Sequence, residues 1–425
     1  MKMFSPGRIG WPVVLPVICI ASMASPALAD QMHYRNVITG ERAQGMGGAY
    51  TGISDDASGV FYNPGGLAFA QSNDISGSAN AFYSKKMTYK KAVLGVEDWK
   101  EESGGTFAPF FGVMQKLDRL MPGLVGGFAY YTLDTELKDQ DSLLLNRGSL
   151  ARYHRAANQR AATFGATGAL GYRVSSSLGI GVSAGYLKAD ELIQVSQNYF
   201  TSSGSNYLMR SVRESLVAHG AQLGLGIQWA PATQVSIGLS ARTGSYASQK
   251  YLQTADNLQI DNGTITSAPN EFKSNNPLGS MPLEIRAGAA WFASPRLIVT
   301  TDVDYHEAVT DMDHSTSKIF TRDSVLNYAI GTEYYLTSSI PIRAGYFTNN
   351  DATPMPSSSK TDQPDHVDYK GVTLFLAWAQ PNSQVSAGAV VQKGTGKSQK
   401  VAGEKATQSI DALAYTLGFS ATHSF

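Results

Sequence analysis

Apolar residues at every second position recur along nearly the whole chain, and this alternation limits the fold more than any motif does. Across residues 178–186 the apolar set is Leu178, Ile180, Val182, Ala184 and Tyr186, interleaved with Gly179, Gly181, Ser183 and Gly185. The same pattern runs through residues 223–229, 283–291, 297–305 and 328–336. A period of two belongs to a strand with one apolar face. About fourteen such segments are long enough to cross a bilayer at a barrel tilt. A soluble sandwich would alternate too, with its apolar face turned to a dry core. The connections separate the two cases. Short links near 117–121, 175–177, 231–233, 294–295, 338–339 and 381–383 alternate with long ones at 85–105, 136–159, 191–210, 254–280, 310–322, 351–365 and 395–409. Short turns on one side and long loops on the other are the layout of an outer-membrane barrel. The pattern predicts an all-β fold, a transmembrane antiparallel barrel of about fourteen strands.

Composition agrees. Charged residues make up 16% of the chain, against about 25% in soluble domains. Mean hydropathy is only −0.16, because apolar and polar positions cancel in any window. Residues 1–29 read as a secretory leader: Lys2 and Arg8 precede an apolar run, and Ala27-Leu28-Ala29 is a small-x-small cleavage site. That run is too short to span a membrane, and no later run approaches the roughly eighteen apolar residues of a spanning helix. The only cysteine, Cys19, lies in the leader, so the mature chain is expected to lack disulfides and thiolate metal sites. The last strand, with Leu413, Tyr415, Leu417, Phe419, Ala421, His423 and Phe425 at alternate positions, ends on an aromatic residue.

Residues 45–67, GMGGAYTGISDDASGVFYNPGGL, are neither strand nor long helix. Gly45, Gly47 and Gly48 permit a path that side chains would block. Asp55 and Asp56 start a turn, and Asn63-Pro64-Gly65 makes another. These motifs resemble the N-terminal hatch of the FadL family, outer-membrane transporters of long-chain fatty acids and other hydrophobic compounds, including aromatic hydrocarbons. The family usually has Asn-Pro-Ala, and Gly65 stands in the Ala place here. The terminal strand resembles the signal read by barrel-assembly machinery, with His423 as a departure from the usual apolar residue. The resemblance implies three regions: a leader at 1–29, a hatch at 30–72 inside the barrel, and the barrel itself at 73–425. It also implies passive uptake, with a ligand captured by extracellular loops, passed by the hatch and released through a lateral gap where the third strand kinks. Gly123, Gly126 and Gly127 are the candidates for that kink.

Glu284, Arg286, Asp302, Asp304, Glu333 and Arg343, with His306, alternate against the apolar faces of their strands and are expected in the lumen, where opposite charges brace the wall or anchor the hatch. Asp55 and Asp56 are expected to hold the hatch to a lumenal arginine. Apolar residues in two predicted loops, Met87, Val93, Leu94, Val96 and Trp99, then Leu143, Leu144 and Leu145, suit either a binding groove or a lid. Catalytic and metal sites are not expected: no HxxxH or HExxH motif occurs, and there is no GxSxG elbow, the one match at 181–185 lying inside an alternating strand segment. No cofactor and no nucleic acid are expected. The expected partners are a hydrophobic small molecule, outer-membrane lipid and lipopolysaccharide, with the barrel-assembly machinery during biogenesis. The expected state is a monomer in the bacterial outer membrane. Two other functions fit the same barrel, a structural or protein-export role and a diffusion porin.

Overall fold

The computed structural model describes residues 32–425 except 94, 106–107, 148–149, 202–205, 276–279, 313–318, 362 and 401–404; the predicted leader and Leu94 fall outside the described residues. The wall begins with β1 (Asp74–Val93), followed by β2 (Glu97–Gly105) and β3 (Ala108–Lys116), which share one place in the sheet. Five long strands follow: β4 (Leu124–Arg147), β5 (Leu150–Arg173), β6 (Leu178–Thr201), β7 (Asn206–Ala232) and β8 (Val235–Asp261). Short strands β9 (Thr264–Ser267) and β10 (Asn270–Ser274) fold back on β8 before β11 (Ser280–Ser294) and β12 (Leu297–His306). A separate hairpin, β13 (Val309–Met312) and β14 (Ile319–Arg322), leads to β15 (Val325–Thr337) and β16 (Ile340–Asn349). The chain ends with β17 (His366–Gln380), β18 (Ser383–Ser398) and β19 (Gln408–Ser424). β19 pairs with β1 from Ser424 opposite Asp74 to Ile410 opposite Tyr89, which closes a fourteen-stranded antiparallel barrel. Closure leaves no free sheet edge, as lipid requires of any spanning sheet.

The apolar faces read from the sequence point outward. Leu223 is 63% exposed and Leu374 62%, values that suit contact with acyl chains rather than water. Trp229, Trp291 and Trp378 lie near the short turns, whereas Tyr186, Tyr305, Tyr328 and Tyr346 lie toward the other end, giving the two aromatic girdles of a membrane barrel. His423 sits at the short-turn end, where its Nδ1 and the Ser383 hydroxyl are hydrogen-bonded at 2.9 Å, so a polar side chain is accommodated in that place.

Most of the long loops expected from the sequence are strand instead. β7 and β8 have 27 residues each, about 90 Å of extended chain where a crossing needs about ten residues. The β4–β8 side therefore continues well beyond the membrane as a sheet, while β12 and β16 stop at ten residues. Beyond the bilayer both faces of a strand meet protein or water, and the clean apolar-out alternation that marks a lipid-facing strand is lost. The described residues of 351–365 carry no strand, in keeping with the loop expected there.

The core lies inside the barrel, between the wall and the N-terminal segment. That segment forms α1 (Glu41–Gly45), α2 (Gly59–Tyr62) and a 3-10 turn at Gly66–Phe69. Met46, Ala49, Tyr50 and Leu67 are fully buried. One apolar cluster joins Ile38, Met46, Tyr50, Ile53 and Tyr62 to Ala329, Phe347, Phe375 and Val390 of the wall. A second joins Val60, Leu67 and Ala70 to Phe110, Met114, Ala129 and Tyr131.

Inward-facing glycines let the segment's backbone approach this closely. Gly112, Gly127, Gly171, Gly181, Gly226, Gly238, Gly288, Gly331 and Gly345 each lie where a Cβ would strike it. A Cβ on Gly127 would come within 2.7 Å of Val60, and one on Gly181 would overlap the Pro64 carbonyl. Replacing Gly181 by Ala is expected to destabilise the protein by about 1–3 kcal/mol, the usual range for overpacking. Gly168, which faces outward with nothing within 4 Å of an added Cβ, serves as the control. Guanidinium unfolding in detergent compares the two, and equal midpoints for Gly181→Ala and Gly168→Ala would remove the close-approach account.

Candidate functional site

The motif residues of the N-terminal segment are shaped by contacts with the wall. Gly45 lies against the Arg343 side chain, and its carbonyl accepts a 2.7 Å bond from Thr373 Oγ1. Gly47, at φ +64°, passes over Gly345. Gly48 also has positive φ, at +80°. Asn63 works in both directions. Its Nδ2 donates to the Thr51 and Ile227 carbonyls, both at 3.0 Å, and its Oδ1 accepts from Gly65 N at 3.0 Å. Pro64 presents its carbonyl to Gly171 and Gly181. A Cβ on Gly65 would stand 2.8 Å from the Gly226 carbonyl group, which accounts for glycine in place of alanine.

Charges tie the segment to the wall through alternating signs. Arg343, 1% exposed, donates from Nε to Glu333 and from Nη1 to Glu41 at 2.9 Å. Arg42 donates from Nη2 to Glu333 at 3.3 Å and from Nη1 to Asp55 at 2.9 Å. Glu41 also accepts from Gln384 and from Thr422 Oγ1 at 2.8 Å. Burial opposes the Arg42 charge, but Glu333, Tyr50 and Asp55 outweigh it and hold the guanidinium well above its ordinary pKa. Burial pushes the Asp55 carboxyl up, against the pull of Arg42.

Asp55 thus pairs with an arginine of its own segment rather than one of the lumenal wall, correcting the expectation. Asp56 has no arginine among its hydrogen bonds: it accepts the Tyr50 hydroxyl at 2.7 Å, the Ser58 amide at 2.9 Å and the Ser58 hydroxyl at 2.5 Å. The reason is geometric, since Arg42 on α1 lies between the acidic turn and Glu333.

The other candidate charges gather on neighbouring strands. Arg286 is opposite Asp304, Glu284 opposite His306 and Gly288 opposite Asp302. Glu284 binds Arg242 and Arg286, while Asp304 binds Arg35 and, at 3.1 Å, His306. Asp302 Oδ2 accepts the backbone amides of Tyr50 at 3.1 Å and Thr51 at 2.9 Å, so a wall carboxylate caps a turn of the segment. Arg242 lies over the Phe61 ring at 4.1 Å. Among the described residues, no group of three or more His, Cys, Asp or Glu is placed to hold a metal ion.

The three glycines offered for a wall kink have other places. Gly123, at φ +79°, is in the β3–β4 turn, where its amide donates to Asp118 at 2.9 Å. Gly126 and Gly127 lie in unbroken pairing with both β3 and β5. The wall is irregular higher up. The described pairing of β4 runs to Tyr131, opposite Phe110 of β3, and resumes in the same register at Leu137, opposite Gly104 of β2; residues 106 and 107 between them lie outside the described residues. A bulge falls between Thr132 and Asp134 on the β5 side, and another between Asn80 and Phe82 of β1. At this level a lumenal cavity of about 30 Å³, room for one water, is lined by Asn36, Asn80, Lys85, Gly105, Asp134 and Glu136 among others.

Above it, the extended strands build a buried aromatic cluster from Tyr89, Val93, Trp99, Tyr153, Val367, Tyr369 and Ile410, with Met87 and Leu144 packed against it. Four of the predicted loop apolar residues, Met87, Val93, Trp99 and Leu144, thus pack inward; Val96, Leu143 and Leu145 are exposed. Glu101, 1% exposed, lies in this cluster 2.7 Å from both Lys138 and Lys400 and 3.8 Å from Arg155, with Trp99 Nε1 donating at 3.1 Å. Sequence reasoning missed this ion cluster and missed Arg35, Glu41 and Arg42, because their partners are up to about three hundred residues away and only barrel closure unites them.

Arg343→Ala leaves Glu41 and Glu333 short of a buried cation, so a loss of about 3–5 kcal/mol is expected. Pairing it with Glu333→Gln is expected to recover part of that loss. Denaturant unfolding of both variants checks this, and additive effects would mean that the two side chains do not interact.

No family model matches the sequence, and no curated protein matches it. Solved structures do. The Pseudomonas putida toluene transporter TodX superposes with a TM-score of 0.68 at 13% identity, covering 92% of this chain and 99% of that one. A Pseudomonas aeruginosa FadL homologue gives 0.64 at 13% identity, with 91% and 98% coverage. The Ralstonia pickettii toluene transporter TbuX gives 0.58 at 11% identity, with 91% and 98% coverage. Closed around its buried N-terminal segment, this chain has the fold of the FadL-type outer-membrane transporters.

Proposed function

We propose that the chain carries hydrophobic molecules passively across the bacterial outer membrane, with residues 30–72 as the plug. The observation that carries this reading is the N-terminal segment, held in the lumen by wall glycines and by ion pairs on several strands. A barrel whose lumen the segment packs into this closely argues against a diffusion porin. An apolar solute gains nothing by being released into water, so a route through the wall into lipid suits it better. The bulge of β4 between Thr132 and Asp134, beside the lumenal cavity, is our candidate for that lateral exit. The cavity there holds only a water in this arrangement, so passage requires Asn36, Val37 and their neighbours to shift.

Capture is assigned to the extended strands, where the aromatic cluster provides an apolar site and Lys138, Lys400 and Arg155 supply cations. This arrangement suits a long-chain fatty acid or an aromatic hydrocarbon; the cations favour the former. The likeness to TodX, TbuX and a FadL homologue supports a transport role over an enzymatic one.

Proteoliposomes loaded with the purified protein test the proposal. Saturable uptake of labelled oleate or toluene is expected with low ion conductance, and deletion of residues 32–70 is expected to open a conducting pore. Large conductance through the intact protein, with no uptake of either probe, would overturn the transport reading and favour a porin.

A further inference from the structure

Above the plug, the buried ion cluster is a complete seat for a carboxylate, and the chain's own Glu101 sits in it. Oε2 of Glu101 is 2.7 Å from Lys138 Nζ and accepts the Tyr89 hydroxyl at 3.4 Å. Oε1 is 2.7 Å from Lys400 Nζ, accepts Trp99 Nε1 at 3.1 Å and lies 3.8 Å from Arg155 Nη1. These donors converge from β1, β2, β4, β5 and the segment after β18. Lys400 also lies over the Tyr89 ring at 4.2 Å. Around them stand Tyr153, Tyr369, Val367 and Ile410. The seat is therefore charged at one point and apolar about it, as the headgroup site of an amphiphile must be.

Burial opposes the Glu101 charge, but Lys138, Lys400 and Arg155 outweigh it and hold the carboxyl well below the usual range. Asp365 lies across the Tyr89 hydroxyl, which it accepts at 2.9 Å, and also accepts the Ser398 hydroxyl. Lys85, nearer the bilayer, lines the small cavity with Asp134 and Glu136. Three cations thus meet at the Glu101 carboxylate. Without a counter-charge they would each be buried and unmatched, which is costly. A cationic seat that waits for its ligand needs a resident anion.

Glu101 is also placed to leave. Ser103 of β2 shares a row with Lys138, Gln159 and Ile193, and Ile193 is well beyond Tyr186 of the aromatic girdle, so this part of β2 stands clear of the bilayer. Glu101 is opposite Met87 of β1, but the pairing of β2 with β4 is confined to Ser103 and Gly104. Toward β4, Gln140 Nε2 donates to the Lys100 carbonyl at 3.1 Å. Glu101 therefore lies on a stretch with a continuous ladder along one edge.

We infer that Glu101 is an internal stand-in for the ligand's carboxylate, which holds the cations of the capture site until a long-chain carboxylate replaces it on Lys138 and Lys400 and Glu101 turns out to water. This deepens the capture reading given above and rests on it. Exchange keeps the number of buried charges constant, whereas addition would place two carboxylates side by side. A neutral hydrophobe has nothing to offer the lysines, so it leaves Glu101 seated and gains only aromatic surface. Glu101 is thus a specificity-determining residue, against which an anionic ligand must compete.

Equilibrium dialysis of the full mature chain in detergent, with labelled oleate and methyl oleate as probes, tests the exchange. Glu101→Gln keeps the shape and removes the competing charge, so oleate is expected to bind about tenfold more tightly or better, with methyl oleate unchanged. Glu101→Asp keeps the charge but falls short of both lysines, and an intermediate tightening for oleate is expected. Glu102→Gln alters an exposed carboxylate that pairs with Lys86 at 3.0 Å, and is expected to leave both affinities at the wild-type value. Heat-modifiable gel mobility verifies that each variant is folded. Oleate affinity that stays level or falls in both Glu101 variants would overturn the inference and reduce Glu101 to a brace of the upper sheet. Equal tightening for oleate and methyl oleate would refute it as well, by showing that space rather than charge was released. Failure of the transport reading looks different: neither probe would enter proteoliposomes, whatever stands at position 101.

Discussion

Backbone meeting backbone inside the barrel is the contact on which the rest of this structure depends. The N-terminal segment has little core of its own, only two short helices and a 3-10 turn, and it is ordered because the wall accepts it. Inward glycines at Gly171, Gly181, Gly226, Gly238, Gly288, Gly331 and Gly345 bring main chain to main chain, and Gly112 and Gly127 make room for the Ala57 and Val60 side chains. Close packing of this kind yields dispersion contacts over a large area and leaves no room for water. The same glycines carry a cost, for they contribute no side chain to the sheet. Tight docking of the segment offsets it.

Electrostatics then orients what packing holds. Asp302 caps the turn at Tyr50 and Thr51, and the sequence of Asp55, Arg42, Glu333, Arg343 and Glu41 alternates sign across the boundary between segment and wall. Buried ion pairs add little net stability, because desolvation opposes the Coulomb gain. They do make one docking arrangement far better than its neighbours, since any shift strands a buried charge.

Much of the architecture was legible beforehand. Lipid must be met by an apolar face, so every membrane-crossing strand carries a period of two, and residues 178–186 or 223–229 show it plainly. Beyond the membrane that demand ends. The upper halves of β4–β8 therefore read as loops, although Leu144, Tyr153 and Ile193 pack inward there. Glycine was ambiguous for a related reason. Gly127 resembled a kink because a glycine in a strand is compatible with a bend, a bulge or a close neighbour; its neighbour is Val60 of the segment. The bulge on β4 instead falls at Leu133, a residue with nothing unusual about it.

By itself the sequence determined that the chain is a barrel with one face for lipid, and that residues 45–67 require a larger body to pack on. Both follow from local chemistry: side-chain period and the backbone freedom of glycine. Tertiary structure alone decided which charges meet and where the wall is irregular. Arg343 meets Glu41 across about three hundred residues, and Asp302 meets the amides of Tyr50 and Thr51 across about two hundred and fifty. Register depends on the pairing of whole strands and on the bulges that shift them, which no window of the sequence contains.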